Sequence, residues 1–592
     1  VIMDIKVTNL EHGDVLTYSL ALIKGDVKQP CRAAVVCVYT VENKRKITWP
    51  IVEGLFKAFV ELRPGLNHVL LEYADSTLTL DLTYKQIKFN KFVLPIYIIC
   101  SDDEGHFQAD EDQPNDISIA KRKIILNAKL LQTFTAEKLK EQGFGRKTFQ
   151  LVTDSTGKVA CHTFTTKLKL AEVHSMTAYD LWVYFAKEII CSGFPNKENY
   201  KWFAFMSFTR YTPPSSGIIP TSHSEIIKCT KAYAALGGGG LALFGTATMH
   251  TWAHKLEHLT KCFTNNKKID KTKLMDDSAY RGYYWANYST GLGSSLHELG
   301  HTFDLAHNPS GIMARGFDDL YRVFIVPTST PHLTPCSSPR RITPCSSPVR
   351  QRLEVKLTTK PPPLIVQVQT GFLRLSTEQR ETMTIREYDG SEVRKTVSKE
   401  LSGGEMVTET KVFPCGHVST SQIRRTSIGQ SKSVSSSPSS SRASSPSPRP
   451  AMLPKTPPEG TVCMTSKIDP SHEDGGAHWY RSSAVVLAYH KWLNPPHPDD
   501  PDKVPTFQGD MLHSSSGLRV IELRTVPDGM VFHHWEFLSG IPPITFKLKA
   551  VEIAGLSSQH SLKEFTVLAE DSFGNLLKKK VSLTEIANAS FS

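Results

Sequence analysis

The sequence predicts a multidomain α+β protein, and three observations carry that prediction. Short runs rich in β-branched and aromatic residues, punctuated by turn residues, fill both ends of the chain. Between them, helical and strand-like spacing alternate. A low-complexity stretch rich in Ser, Pro and Arg then interrupts the pattern.

Residues 1–110 are expected to form a β-sandwich-like N-terminal domain. Runs 5–7, 16–22, 33–39 and 77–84 read as strands, and 59–67 and 68–73 as two strands around a Pro-Gly turn. The acidic stretch 102–116 reads as a linker. From 117 the period changes: Ile117, Ala120, Ile124, Ala128, Leu131 and Leu139 recur at helical spacing, with Gly143 as a stop signal. Strands at 149–152 and 201–208 and a helix at 179–190 follow. Four glycines, 237–240, read as a flexible entry into a buried strand from Leu241. Residues 117–325 therefore form an α/β domain.

Residues 326–461 are expected to be a disordered Ser/Pro/Arg-rich insertion, with a short β-like patch near 364–375. Such composition buries too little apolar surface to offset chain entropy. The motif TPCSSP occurs twice, at 334–339 and 343–348. Ser-Pro dipeptides and Arg424-Arg-Thr-Ser427 make the insertion a possible kinase target, each phosphate adding about −1.5 to −2 charge; a passive linker is the competing reading. A helix within 470–500 is expected to complete the α/β domain, and 505–592 to form a β-rich C-terminal domain.

The net charge of +11 suggests nucleic acid at first sight. Its placement argues otherwise. Residues 326–460 hold 19 Lys and Arg against 10 Asp and Glu, so the remainder is close to neutral. No nucleic-acid partner and no membrane span are expected. The 11 Cys are scattered singly, without a CxxC pair, which fits reduced thiols and a cytoplasmic location. No secretory signal is visible at the start.

The informative segment is SSLHELGHTFDLAHNPSGIM, residues 294–313. On a helix, His297 and His301 lie one turn apart on one face, able to hold one metal ion. Glu298 is turned roughly 100° around the axis, where it can reach a water without occupying the metal. Zn2+ suits imidazole ligands and keeps one position open in catalytic sites. A third histidine, His307, completes HExxHxxxxxH. With 22 His in 592 residues, a histidine at one stated position is expected about 4% of the time, so chance is a poor account of it. Asn308-Pro309 breaks the chain, and Met313 follows. The predicted metal set is His297, His301 and His307, with Glu298 as catalytic base and Met313 in a turn beneath the metal.

This pattern resembles the metzincins, with one departure. Asp304 stands where metzincins carry glycine. Either Asp304 adopts the left-handed turn, which Asp tolerates, or the helix runs on and His307 sits away from the metal. Residues 143–149, 237–252, 297–307, 311–319 and 479–492 together resemble a eukaryotic zinc metallopeptidase family whose fungal members include one with a jacalin-like C-terminal region. The resemblance implies a metzincin-like zinc metalloendopeptidase acting on peptides or proteins. Its implied fold is a metzincin-like α/β domain flanked by β-sandwich-like domains. The strand from Leu241 to Thr248 is then the expected border of the substrate cleft. His250 and His254 read as partly exposed loop histidines, or else as stabilisers of the oxyanion or ligands of a second, structural zinc. Arg315, Asp318 and Asp319 read as fasteners of the turn or as solvated surface. The alternative function is a catalytically inactive zinc-binding protein whose β domains act as a binding module.

Overall fold

The computed structural model describes residues 5–28, 34–214, 217, 219–327, 474–556 and 563–589, and backbone strands lying within 368–425. The chain forms two compact units, residues 1–343 with 463–592, and residues 344–462.

The N-terminal region carries strands β1 (Ile5–Val7), β2 (Val15–Leu16), β3 (Leu20–Val27), β4 (Val35–Thr40), β5 (Ile47–Val52), β6 (Leu55–Glu61), β7 (Gly65–Tyr73) and β8 (Ser76–Tyr84). They form one sheet in the order β1-β3-β6-β5-β4-β7-β8-β2. Strand β5 pairs with β4 along its first part and with β6 only at Ile51 and Val52, so the sheet folds over on itself at β5. Trp49 and Phe59 fill the space enclosed, with ring centroids 5.6 Å apart.

The central region is built on strands β9 (Phe92–Ile99), β10 (His162–Thr165), β11 (Tyr200–Met206), β12 (Ala235–Gly238) and β13 (Leu241–Gly245), in the order β10-β9-β11-β13-β12. The first four are mutually parallel and β12 is antiparallel to β13. Strand β9 lies within the 1–110 segment expected to be N-terminal domain, yet it pairs with β10 and β11. The domain change therefore precedes Phe92; the run FVLPIYII is continuously apolar because both faces of a parallel sheet are covered.

One face of that sheet, with Tyr97, Phe203, Phe205 and Phe244, packs on α1 (Ile117–Glu141) and α3 (Tyr284–Thr302). The other face, with Ile96, Ile98, Trp202 and Leu243, packs on Leu181, Phe185 and Ile189 of α2 (Ala178–Cys191). Asp116 caps α1, accepting from the N–H groups of Ser118 at 2.7 Å and Ile119 at 3.0 Å. Gly143, at φ +87°, follows its end. The expected strand 149–152 contributes only an isolated pairing of Leu151 with Val93.

Within the second unit, four strands form an antiparallel meander: β14 (Arg380–Arg386), β15 (Glu392–Lys399), β16 (Glu405–Val412) and β17 (Val418–Arg425). These strands lie inside the stretch 326–461 expected to be disordered, most of whose other residues lie outside the described ones. Overall composition hid locally β-prone runs such as TMTI and KTVS. The Ser-Pro dipeptides and most of the Ser/Pro/Arg run lie outside the described residues.

Helix α4 (Arg481–Tyr489) is shorter than the run 479–493 suggested, its chain turning extended at His490. The C-terminal region holds strands β18 (Thr506–Gln508), β19 (Met511–His513), β20 (Leu518–Thr525), β21 (Val531–Glu536), β22 (Thr545–Lys547), β23 (Glu564–Asp571) and β24 (Leu576–Ser582). They make two sheets, β18-β19-β22 and β21-β20-β23-β24, with helices α5 (Ala550–Leu556) and α6 (Leu583–Ala589). Ile521, Leu523, Phe565 and Val567 face a separate C-terminal core, whereas Val520 and Leu568 join the main core. Among the described residues, no helix is long and apolar enough to cross a membrane.

Candidate metal centre

Helix α3 is buried along almost its whole length. It can pass so close to strand β12 because Gly237 has no side chain: a Cβ there would lie 2.0 Å from the Glu298 carbonyl oxygen. The glycine run is therefore not a flexible entry. Gly237 and Gly238 lie in β12, and Gly239 (φ +54°) and Gly240 make the two-residue turn into β13. The expected cleft strand is corrected too. Strand β13 is paired on both sides, by β11 and β12, so the sheet edge beside Glu298 belongs to β12.

The helix ends at Thr302, and Asp304 takes the left-handed conformation at φ +59°. The N–H of Leu305 returns to the Gly300 carbonyl at 3.2 Å. This is the turn that the eighth motif position requires, and it brings His307 back over the helix. The potential ligand atoms of His297, His301 and His307 all lie within 4.8 Å of one another, the one such cluster among the described residues. The Nε2 atoms of His297 and His301 are 3.1 Å apart. Two imidazole nitrogens on a tetrahedral zinc would be roughly 3.3 Å apart. The spacing therefore fits such an ion.

Each ring also has its other nitrogen engaged. Nδ1 of His297 meets the Ile312 carbonyl at 2.8 Å, that of His301 the Leu305 carbonyl at 2.9 Å, and that of His307 the Asp528 carbonyl at 3.3 Å. A carbonyl can only accept, so Nδ1 carries the proton and Nε2 keeps its lone pair for a metal. Burial, then His301 and His307, holds His297 well below the ordinary imidazole range. Burial and His307 bring His301 down to about 4. Both are therefore neutral at pH 7, the state a ligand needs.

Burial pushes the Glu298 carboxyl up to about 8, and the Gly237 N–H partly offsets that rise by favouring the charged form. Met313 is fully buried against α3, its sulfur occupying the space a Cβ on Gly300 would need. Asp318 fastens this turn. It accepts from Arg315 Nε at 3.0 Å and from Thr290 Oγ1 of α3 at 2.8 Å, while Asp319 accepts from the Gly476 N–H at 2.9 Å. Of the two readings for Arg315, Asp318 and Asp319, fastening holds. His250 and His254 are not in the cluster: His250 is buried against Tyr284, and His254 packs on His258. The carbonyls of Ile312, Leu305 and Asp528 had no sequence signal, because any residue type supplies a carbonyl.

The chain is 28% identical to a "putative zinc metalloproteinase" of Schizosaccharomyces pombe over 295 residues, 47% of this chain and 46% of that protein. It is 26% identical to one of Saccharomyces cerevisiae over 349 residues, 54% and 49% of the two chains. The chain thus spans about half the length of the curated relatives it matches. The crystal structure of OgpA from Akkermansia muciniphila matches 84% of this chain and 94% of its own at 11% identity, with a TM-score of 0.36. A profile of the metallopeptidase family described as "Putative peptidase family" matches residues 4–394, a span that includes β12, all of α3 and the three histidines. With two thirds of its length under that profile, the chain belongs to this peptidase family.

Proposed function

We propose that the protein is a zinc metalloendopeptidase, metzincin-like in its ligand set, with zinc held by His297, His301 and His307. The observation that carries this reading is the convergence of three imidazoles, each with Nδ1 spent on a carbonyl, on the helix that also carries Glu298 and the bend beyond it. The names of the yeast relatives supply the metal, and the donor set suits it.

Bound zinc would polarise the scissile carbonyl and make a water acidic enough to attack near neutral pH. Glu298 takes the proton from that water and delivers it to the leaving amine. Burial raises that carboxyl to about 8, close to working pH, so it can both accept and return a proton, and the Gly237 N–H favours its charged form. The edge of β12 runs beside Glu298, where an extended peptide would add as a further strand. An edge served by main-chain hydrogen bonds suits peptides or proteins of varied sequence.

The test is Glu298→Ala in zinc-loaded full-length protein. Cleavage of a broad peptide library should fall by about 10²–10⁴-fold, the usual share of a general base, with zinc content unchanged. If the zinc-loaded protein cleaves nothing and the variant behaves identically, the protein is a non-catalytic zinc-binding module instead.

A further inference from the structure

The third histidine is held from the far end of the chain. His307 forms a parallel bridge with Met530, and the Val531 N–H donates to the His307 carbonyl at 3.0 Å. Its Nδ1 meets the Asp528 carbonyl. Asp528 and Met530 belong to the turn joining β20 to β21, which is braced from within: Thr525 N–H reaches the Met530 carbonyl at 2.8 Å, and Met530 N–H reaches Thr525 Oγ1 at 2.9 Å.

A second tie acts on the bend that carries His307. The Arg524 guanidinium donates to the carbonyl of Asp304, the left-handed residue, at 2.8 Å. Arg524 is aimed by Glu522, whose Oε2 accepts from its Nε at 2.9 Å and from its NH2 at 2.5 Å. Both side chains are almost wholly buried, at 3% and 1% exposed. A buried, forked ion pair of this kind holds its geometry against thermal motion.

We infer that the β20–β21 hairpin of the C-terminal region is a working part of the metal centre, with Arg524 as a positioning residue that holds His307 in ligating register. This rests on the zinc-site reading above. His297 and His301 are fixed by α3 itself, but His307 lies beyond the helix end, and these outside contacts choose its place. Without them the bend at Asp304 can relax and the site falls to two reliable ligands.

The experiment measures zinc affinity by chelator competition in the full chain, and the visible spectrum after cobalt substitution. Arg524→Gln alone would strand Glu522 as a buried charge. The pair Glu522→Gln/Arg524→Gln is therefore compared with Arg524→Lys and His307→Ala. The paired variant should bind zinc about 10–100-fold more weakly, the usual effect of losing an outer-shell partner. Its cobalt spectrum should shift towards that of His307→Ala, and its metal-free melting should stay close to wild type. Arg524→Lys, which keeps a donor for the Asp304 carbonyl, should recover part of the affinity. If the paired variant keeps wild-type affinity and spectrum while His307→Ala loses both, the hairpin merely packs beside the site and this inference alone is overturned. If His307→Ala also keeps wild-type affinity, the zinc-site reading fails with it.

Discussion

Gly237 shows how little room the centre leaves at the level of one atom. An added methyl would meet the backbone of the residue that carries the proposed base, so strand and helix must part for it to fit. Gly237→Ala should cost about 1–3 kcal/mol, as overpacking does. It should also lower peptide cleavage, because the N–H that steadies Glu298 moves away with the strand. Thermal melting and a cleavage assay on the same preparation check both. Asp304 is the opposite case, a residue that keeps a side chain in the left-handed region. Its φ of +59° is tolerable for Asp, and its carbonyl has a dedicated partner in Arg524.

The elements divide into those that local sequence dictates and those that tertiary pairing decides. Helix α1 is of the first kind, with an Asp cap, regular apolar spacing and a glycine stop. Asp116→Ala should lower stability by about 1 kcal/mol through the lost cap, seen as a shift in denaturant midpoint at constant slope. The same legibility extends to the strands of the N-terminal sheet and to α3, whose HExxH spacing by itself puts two histidines on one face. What the sequence left hidden was assignment across distance. Strand β9 falls inside the segment assigned to the N-terminal domain, because an apolar run does not announce which sheet will pair with it. Strand β13 looked like a cleft border, because nothing local says that β12 will cover its edge. The antiparallel strands between Arg380 and Arg425 were masked by averaging them with the Ser/Pro-rich residues around them.

Across the whole molecule, the N-terminal sheet, the central domain and the chain returning at Asp474 meet in one buried charge cluster. Asp474 accepts from Lys57 Nζ at 3.0 Å and from Lys138 Nζ at 2.5 Å, and Lys57 also donates to the Arg322 carbonyl at 2.6 Å. Burial alone would raise the Asp474 carboxyl, but Lys138, Lys57 and Lys24 outweigh it and hold it well below the usual carboxylate range. A depressed carboxyl stabilises the fold fully above its unfolded value of about 3.9 and loses that contribution as pH falls towards its folded value. Stability should therefore drop below about pH 4 more steeply in the wild type than in Asp474→Asn. At pH 7 that variant should be less stable by about 3 kcal/mol, the lower end for a broken buried ion pair, because Lys138 keeps Glu141 at 2.8 Å and Lys57 keeps the Arg322 carbonyl. Urea unfolding across pH reads both effects. The tie between His307 and Asp528, 221 residues apart, also sets an order of events during synthesis. A nascent chain emerges with His297, His301 and Glu298 long before the ribosome has made Arg524 or Met530. Until those residues arrive, the contacts that hold the bend at Asp304 and the ring of His307 from outside are missing, so the three-histidine cluster is completed only late in synthesis.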